Sequence, residues 1–269
     1  MEPSFERASL NLGGKIGMNL FKNTTGDLYG FTCYVNSIQM ADDIQAVFHY
    51  MRDGNEMTVS GVFTIESYIH KLVNSDECDE AKNLGRALND FGYYTQRYLS
   101  VENGFSIDGE NPDHKPMAGI FGAGYEDADA NRVQAAIGTV LPIVQKSEDI
   151  SNLGMSLVLD SDTGISVTFN VAPDYSGEVT ATIDDSPVTI TRTNTGKYKV
   201  AVNDIGPNML ADRFSIAITT ADSTDLSVSA LDYVGIGLQN INSQEQRDTL
   251  IAIYDYYQAT VAYVDSLSD

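Results

Sequence analysis

Three kinds of residue in this chain could do chemistry: a short run of metal-ligand type, three histidines and two cysteines. Asp127, Asp129 and Asn131 stand at the first three ligand positions of a calcium loop, a spacing that lets oxygens converge on one cation. The loop then fails. Arg132 occupies the position that needs glycine for its sharp turn, and Gly138 the position of the bidentate glutamate, so these residues read as the acidic start of a helix. Asp160 and Asp162 precede Ile165 in a polar stretch that a hairpin turn explains equally well. Nucleophilic catalysis requires a nucleophile, a base and an orienting group within hydrogen-bond reach. His49 falls on the polar side of a strand pattern, His70 on a helix beside Lys71 and His114 in a loop, with no Gly-x-Ser-x-Gly elbow and no Cys–His signature. Cys33 shares a strand face with Phe31 and Val35, whereas Cys78 lies in the polar start of a helix. Pairs of carboxylates carry no information where 38 acidic residues guarantee many of them. The chain is therefore expected to be no enzyme, to hold no cofactor and to bind no metal.

Composition narrows the partners. Sixteen basic residues against 38 acidic ones give a formal net charge of −22, which repels nucleic acid and anionic lipid. At 269 residues and 42% hydrophobic, the chain can bury a sizeable core. No run of 18 apolar residues is present, so membrane insertion is not expected. The opening MEPSFERASL lacks the regions of a signal peptide, and the chain reads as a monomeric module of a larger protein. An acidic, lysine-poor surface with two cysteines suits an exported bacterial protein, secreted or attached to the cell surface. Fifteen tyrosines could supply stacking platforms for sugars, but there is no tryptophan, and most tyrosines fall on helix stripes or strand faces.

The elements that must position any site appear twice. ALNDFGYYTQRY from Ala87 to Tyr98 is echoed by AIYDYYQATVAY from Ala252 to Tyr263, at an offset of 165. Tyr68 and Tyr233 keep that offset in the preceding helices, while Ala41-Asp42 and Ala211-Asp212 lie 170 apart across a short insertion. SLNLGGKIGMNLF from Ser9 parallels SLVLDSDTGISVTF from Ser156. LYGFTCYVN and IQAVFHYM alternate as half-buried strands, and Asp53-Gly54 marks a hairpin turn. Ile65, Tyr68, Ile69 and Leu72 predict one apolar helix stripe, and Leu84, Ala87, Leu88, Phe91, Thr95 and Tyr98 another. Ser243 with Gln246 predicts a helix start; Asp76 is the weaker start in the first half. The expected fold is α+β: two tandem similar β-rich units, each ending in a helical hairpin, joined by an irregular segment. The expected bounds are 1–100, 101–149 and 150–269.

The joining segment has no echo. It opens as a glycine- and proline-rich loop, NGFSIDGENPDHKPMAGIFGAGY, then turns helical before Pro142. Long loops in compact domains commonly carry function. Phe105, Met117, Phe121 and Tyr125 are the candidate partner-binding anchors; the plain alternative is that they dock on their own protein.

The series SLNLGGKIGMNLF, FTCYVNSIQMADDIQAVF, TIESYIHKL and EAKNLGRALNDFGYYTQRYL resembles a module of large secreted or wall-attached proteins of gut Clostridia, ruminococci and their relatives. SLVLDSDTGISVTF, KYKVAVNDI, LADRFSIAI and the last helix resemble the second part of that module. The resemblance covers most of the chain except the joining segment and transfers no catalytic residue. It implies an interaction module of a gut commensal that binds a host protein, most concretely an immunoglobulin variable domain gripped in the manner of a B-cell superantigen. The alternative is a glycan-binding or structural spacer module of a bacterial surface protein.

Overall fold

The structure is a computed structural model that describes residues 16–17, 32–33, 35–110, 112–119, 124–140, 143–159, 163–240 and 243–267. Two compact units divide the chain, Met1–Ile120 and Phe121–Asp269.

In the first unit, β1 (Ile16–Gly17) and β2 (Thr32–Cys33) form a two-residue antiparallel pair. A 3-10 turn at Ser37–Gln39 leads into β3 (Ile44–Arg52) and β4 (Asn55–Phe63), which pair over nine positions from Ile44–Phe63 to Arg52–Asn55. Asp53 and Gly54, both with positive φ, make the two-residue turn that the Asp-Gly pair predicts. Thr64 caps α1 (Ile65–Val73) through a reciprocal bond pair with Ser67. Then α2 (Asp79–Asn103) runs 25 residues to Gly104, whose φ of 72° ends it as a left-handed cap. The second unit starts with α3 (Asp127–Ile137) and continues with nine strands: β5 (Ile143–Gln145), β6 (Ile150–Leu159), β7 (Thr163–Val171), β8 (Thr180–Ile183), β9 (Ser186–Val188), β10 (Thr191–Arg192), β11 (Tyr198–Val202), β12 (Phe214–Thr219) and β13 (Ser223–Val228). They form a four-stranded sheet, β10-β11-β7-β6, and a five-stranded sheet, β5-β13-β12-β8-β9. Ser229 caps α4 (Ala230–Gln239) by the same reciprocal arrangement with Asp232, and Ser243 caps α5 (Gln244–Ser266) by accepting from the Gln246 amide.

The expectation of two tandem, similar β-rich units joined by an irregular segment is corrected. The molecule is α+β, but its described residues hold five helices and eleven strands in three sheets, apart from the two-residue β1–β2 pair, and the strands are unevenly shared. Among the described residues the first unit holds the β1–β2 pair and the β3–β4 ribbon, and the four- and five-stranded sheets both lie in the second. What recurs is local. The Met40 carbonyl accepts from the Glu66 amide at 3.1 Å, and the Leu210 carbonyl from the Leu231 amide at 3.0 Å, so in each unit a 3-10 turn is tied to the first turn of a helix. The sheets around those turns differ because strand neighbours come from distant stretches. Here β12–β13 is flanked by β8 and β5, whereas β3–β4 stands as a two-stranded ribbon. The segment SLNLGGKIGMNLF lies mostly outside the described residues, as do Asp160, Asp162 and Pro142.

The stripe expected on α1 is also shifted. Ile69 is fully buried, but Tyr68 is 63% exposed. On α2 the buried positions are Ala81, Gly85, Asn89, Gly92, Tyr94, Thr95 and Gln96, and the expected Leu84, Leu88 and Phe91 are half-buried. Small residues let neighbours reach the helix backbone: a Cβ on Gly92 would sit 2.6 Å from Met40 Sδ and 2.7 Å from Met117 Sδ. Asp76 starts no helix; α2 begins after Cys78, an exposed free thiol.

Thr95 is fully buried and its hydroxyl has no hydrogen-bond partner among the described residues. Valine has the same shape without the unpaired oxygen, so Thr95→Val is expected to raise the unfolding free energy by about 1 kcal/mol. A denaturant titration checks this, and a loss of stability would show that the hydroxyl is satisfied.

In the second unit the core lies between the sheets and helices, with Phe169, Ile165, Val167 and Val200 nearly solvent-free. Arg132 of α3 donates to both carboxylate oxygens of Asp255 on α5, at 2.9 and 3.0 Å. That bidentate fork fixes one helix on the other, and it holds the Arg132 guanidinium charged.

Candidate interaction site

The four anchors read from the sequence are divided between the two units. Phe105 and Met117 belong to the first unit, Phe121 and Tyr125 to the second, and Phe121 is outside the described residues. Met117 is 3% exposed. Phe105 is half-buried, edge-on to the His114 ring at 5.2 Å. Tyr125 is half-buried, and its carbonyl accepts from Arg247 at 3.0 Å.

The reason is a clamp that the sequence conceals. Residues 113–119 pass over α2 without regular secondary structure, and side chains from three elements hold their backbone. Asp42 accepts from the Lys115 amide at 2.8 Å with one oxygen and meets the His114 ring at 2.7 Å with the other. Gln96 donates to the carbonyls of Ile38 and Lys115, at 2.8 and 2.9 Å, and accepts from the Met117 amide at 2.8 Å. Glu66 accepts from the Ala118 amide at 2.8 Å, and Asn89 donates to the Ala118 carbonyl at 3.2 Å. Lys115 reaches Asp43 at 2.7 Å. A backbone whose donors and acceptors are taken up in this way, with its methionine in the core, is a structural strap.

Among the described residues of the first unit, the β3–β4 ribbon is an open surface. Every residue of β4 is exposed, including Met57 (40%), Val59 (54%), Val62 (63%) and Phe63 (42%). Strand alternation puts Met57, Val59 and Phe63 on one face and Val62 on the other. The polar decoration is light: His49 hydrogen-bonds Thr58 at 3.1 Å and lies 3.6 Å from Glu56. An edge strand with little charge and no proline offers unpaired backbone groups to another strand.

No protein-family model, curated protein or solved structure matches this chain.

Two residues of the calcium-type run have structural partners. Asp127 is an ion-pair partner of Arg247, and Asp129 accepts from the Glu126 amide at 2.9 Å, closing the cap of α3. Among the described residues no group of three or more histidine, cysteine, aspartate or glutamate side chains is placed to hold a metal, and no helix is long and apolar enough to cross a membrane. Asp248, buried at the start of α5, has its pKa pushed up by desolvation, against the opposing hydrogen bond from Gln244 and the charge of Arg247.

Two signals for the ribbon were present in the sequence: the Asp-Gly turn and the uncharged run Met57–Phe63. The clamp had none, because a polar residue on a helix reads as solvated until its distant partner is known.

Proposed function

We propose that this chain is a non-enzymatic interaction module of a secreted or cell-surface bacterial protein, and that it takes a host protein of β-sheet architecture along the β3–β4 ribbon. The immunoglobulin variable domain is the concrete partner. The observation that carries the reading is the ribbon itself: nine register pairs without a bulge, two strands with no further neighbour among the described residues, and four large apolar side chains 40–63% exposed. Strand addition supplies main-chain hydrogen bonds, and alternate side chains then supply selectivity. A variable domain, itself a sandwich of antiparallel strands, can meet both demands outside its antigen site. The net charge of −22 adds little to affinity and leaves the apolar anchors to set it.

The test is binding of the full chain to immobilised immunoglobulin variable fragments by an optical biosensor, beside Val59→Lys and Val62→Lys. Each lysine is expected to weaken affinity by about tenfold or more, roughly 1.4 kcal/mol. Both valines are more than half exposed, so the melting transition should not move. Absence of saturable binding removes the immunoglobulin assignment; wild-type affinity in both variants removes the ribbon as the site.

A further inference from the structure

The second unit contains an apolar cavity of about 370 Å³. Its floor is formed by Val167 of β7 with Leu226 and Val228 of β13, all under 5% exposed, and its walls by Met155 of β6 and Ile236 of α4. The neighbouring stretch of β6 is irregular. Between Ser151 and Gly154 three steps along β6 match two along β7, and Asn152 in that bulge has φ of 49°. Among the described residues β6 and β5 are the last strands of their sheets, and β6 contributes Met155 and β5 Ile143 to the lining. Asn240, the last-turn cap of α4, stands at the lining's polar end. Its amide nitrogen donates to the Ile236 carbonyl at 2.9 Å, which leaves its side-chain oxygen as an acceptor with no bond among the described residues.

The geometry points to this cavity as a binding site for a compact neutral aromatic molecule that carries one N–H or O–H donor, with the ring on Val167, Leu226 and Val228 and the donor on the Asn240 oxygen. Size and charge select that class. The volume falls near the lower end of the roughly 300–1,000 Å³ of ligand pockets, enough for one or two fused rings. No lysine, arginine or carboxylate lines the cavity. An anion would meet a protein of net charge −22 with no counter-charge, and a cation would lose its hydration with no carboxylate to replace it. Asn240 is exposed, so a purely apolar molecule seated on the floor and over its oxygen would displace water from that acceptor without replacing the bond.

Indole is the probe, and the chain favours its use: with no tryptophan in the sequence, indole emission can be followed directly when excited beyond the tyrosine band. Titration with the full chain is expected to give a saturable blue shift. Ile236→Phe and Met155→Phe fill the cavity from two different elements and should each abolish the shift; two variants are used so that one that folds poorly does not decide the matter. 1-Methylindole has the same ring without the donor and should bind about fivefold more weakly than indole, the effect of one neutral hydrogen bond. Asn240→Leu should bring that ratio to about one. A missing blue shift, or a shift that survives both filling variants, overturns the site. A ratio near one in the unaltered chain, or one that Asn240→Leu does not change, overturns the role of Asn240 and the donor requirement.

Discussion

Gln96→Leu is expected to lower the unfolding free energy of the first unit by about 3–5 kcal/mol, although leucine is apolar and close to glutamine in volume. Gln96 is 1% exposed, and its amide makes three hydrogen bonds, two donated to the carbonyls of Ile38 and Lys115 and one accepted from the Met117 amide. Leucine removes all three and leaves three main-chain groups without a partner, at about 1–3 kcal/mol for each that water cannot reach. Gln96→Glu should cost at least as much, since a carboxylate still accepts from Met117 but sets a buried charge against the Ile38 and Lys115 carbonyls. The checks are a denaturant titration and amide hydrogen exchange at Met117, which should accelerate in step with the global loss. A cost under about 1 kcal/mol would show that the strap is held by Met117 packing and by Asp42 instead.

The second large effect is Phe169→Ala, expected to cost about 3–5 kcal/mol. Phe169 has no solvent exposure, lies in β7 between β6 and β11, and stacks on its register partner Tyr198 at 5.5 Å with the rings 13° from parallel. Arg192 lies over the Tyr198 ring at 4.0 Å and donates to its hydroxyl. Alanine removes the aromatic filling and one half of that stack, whereas Phe169→Leu keeps most of the volume and should cost about half as much. Thermal unfolding of both variants separates the two contributions; equal losses would show that ring stacking, not volume, dominates.

Local features of this fold were legible from the sequence and distant ones were not. Ser243 was read as a helix start because a cap is decided within four residues, and Asp53-Gly54 was read as a turn because its backbone demand is its own. Tyr68 was misplaced because a 3.6-residue period identifies a stripe but not its edge, and a tyrosine at the edge serves water as well as core. Gln96 and Asn89 were passed over because polar side chains become core residues only when partners such as Ile38 and Ala118 are brought to them. Met117 was taken for an anchor on correct apolarity and the wrong destination. The alternation in β3 was read as half-burial, and Ile44 is buried while Gln45 and His49 are exposed; β4 carried no such reading, and its Val59 and Val62 stand in solvent. The same reasoning led to two matching β-rich units: repeated turns and caps were visible, while the flanking strands β5 and β8 were not.

The strap also sets a schedule for the growing chain. Asp42 waits for the amide of Lys115, 73 residues later, and the Ile38 carbonyl waits for Gln96, 58 residues later. At the usual pace of synthesis the first of these intervals lasts roughly 4–15 s, long compared with the time in which helices form. Through that interval α1 and α2 can form and pair, but Met40 and the bare backbone at Gly92 lack the cover that Met117 supplies. A nascent chain halted before Lys115 should therefore expose that thioether-lined surface to chaperones and proteases, and one extended past Ala118 should withdraw it.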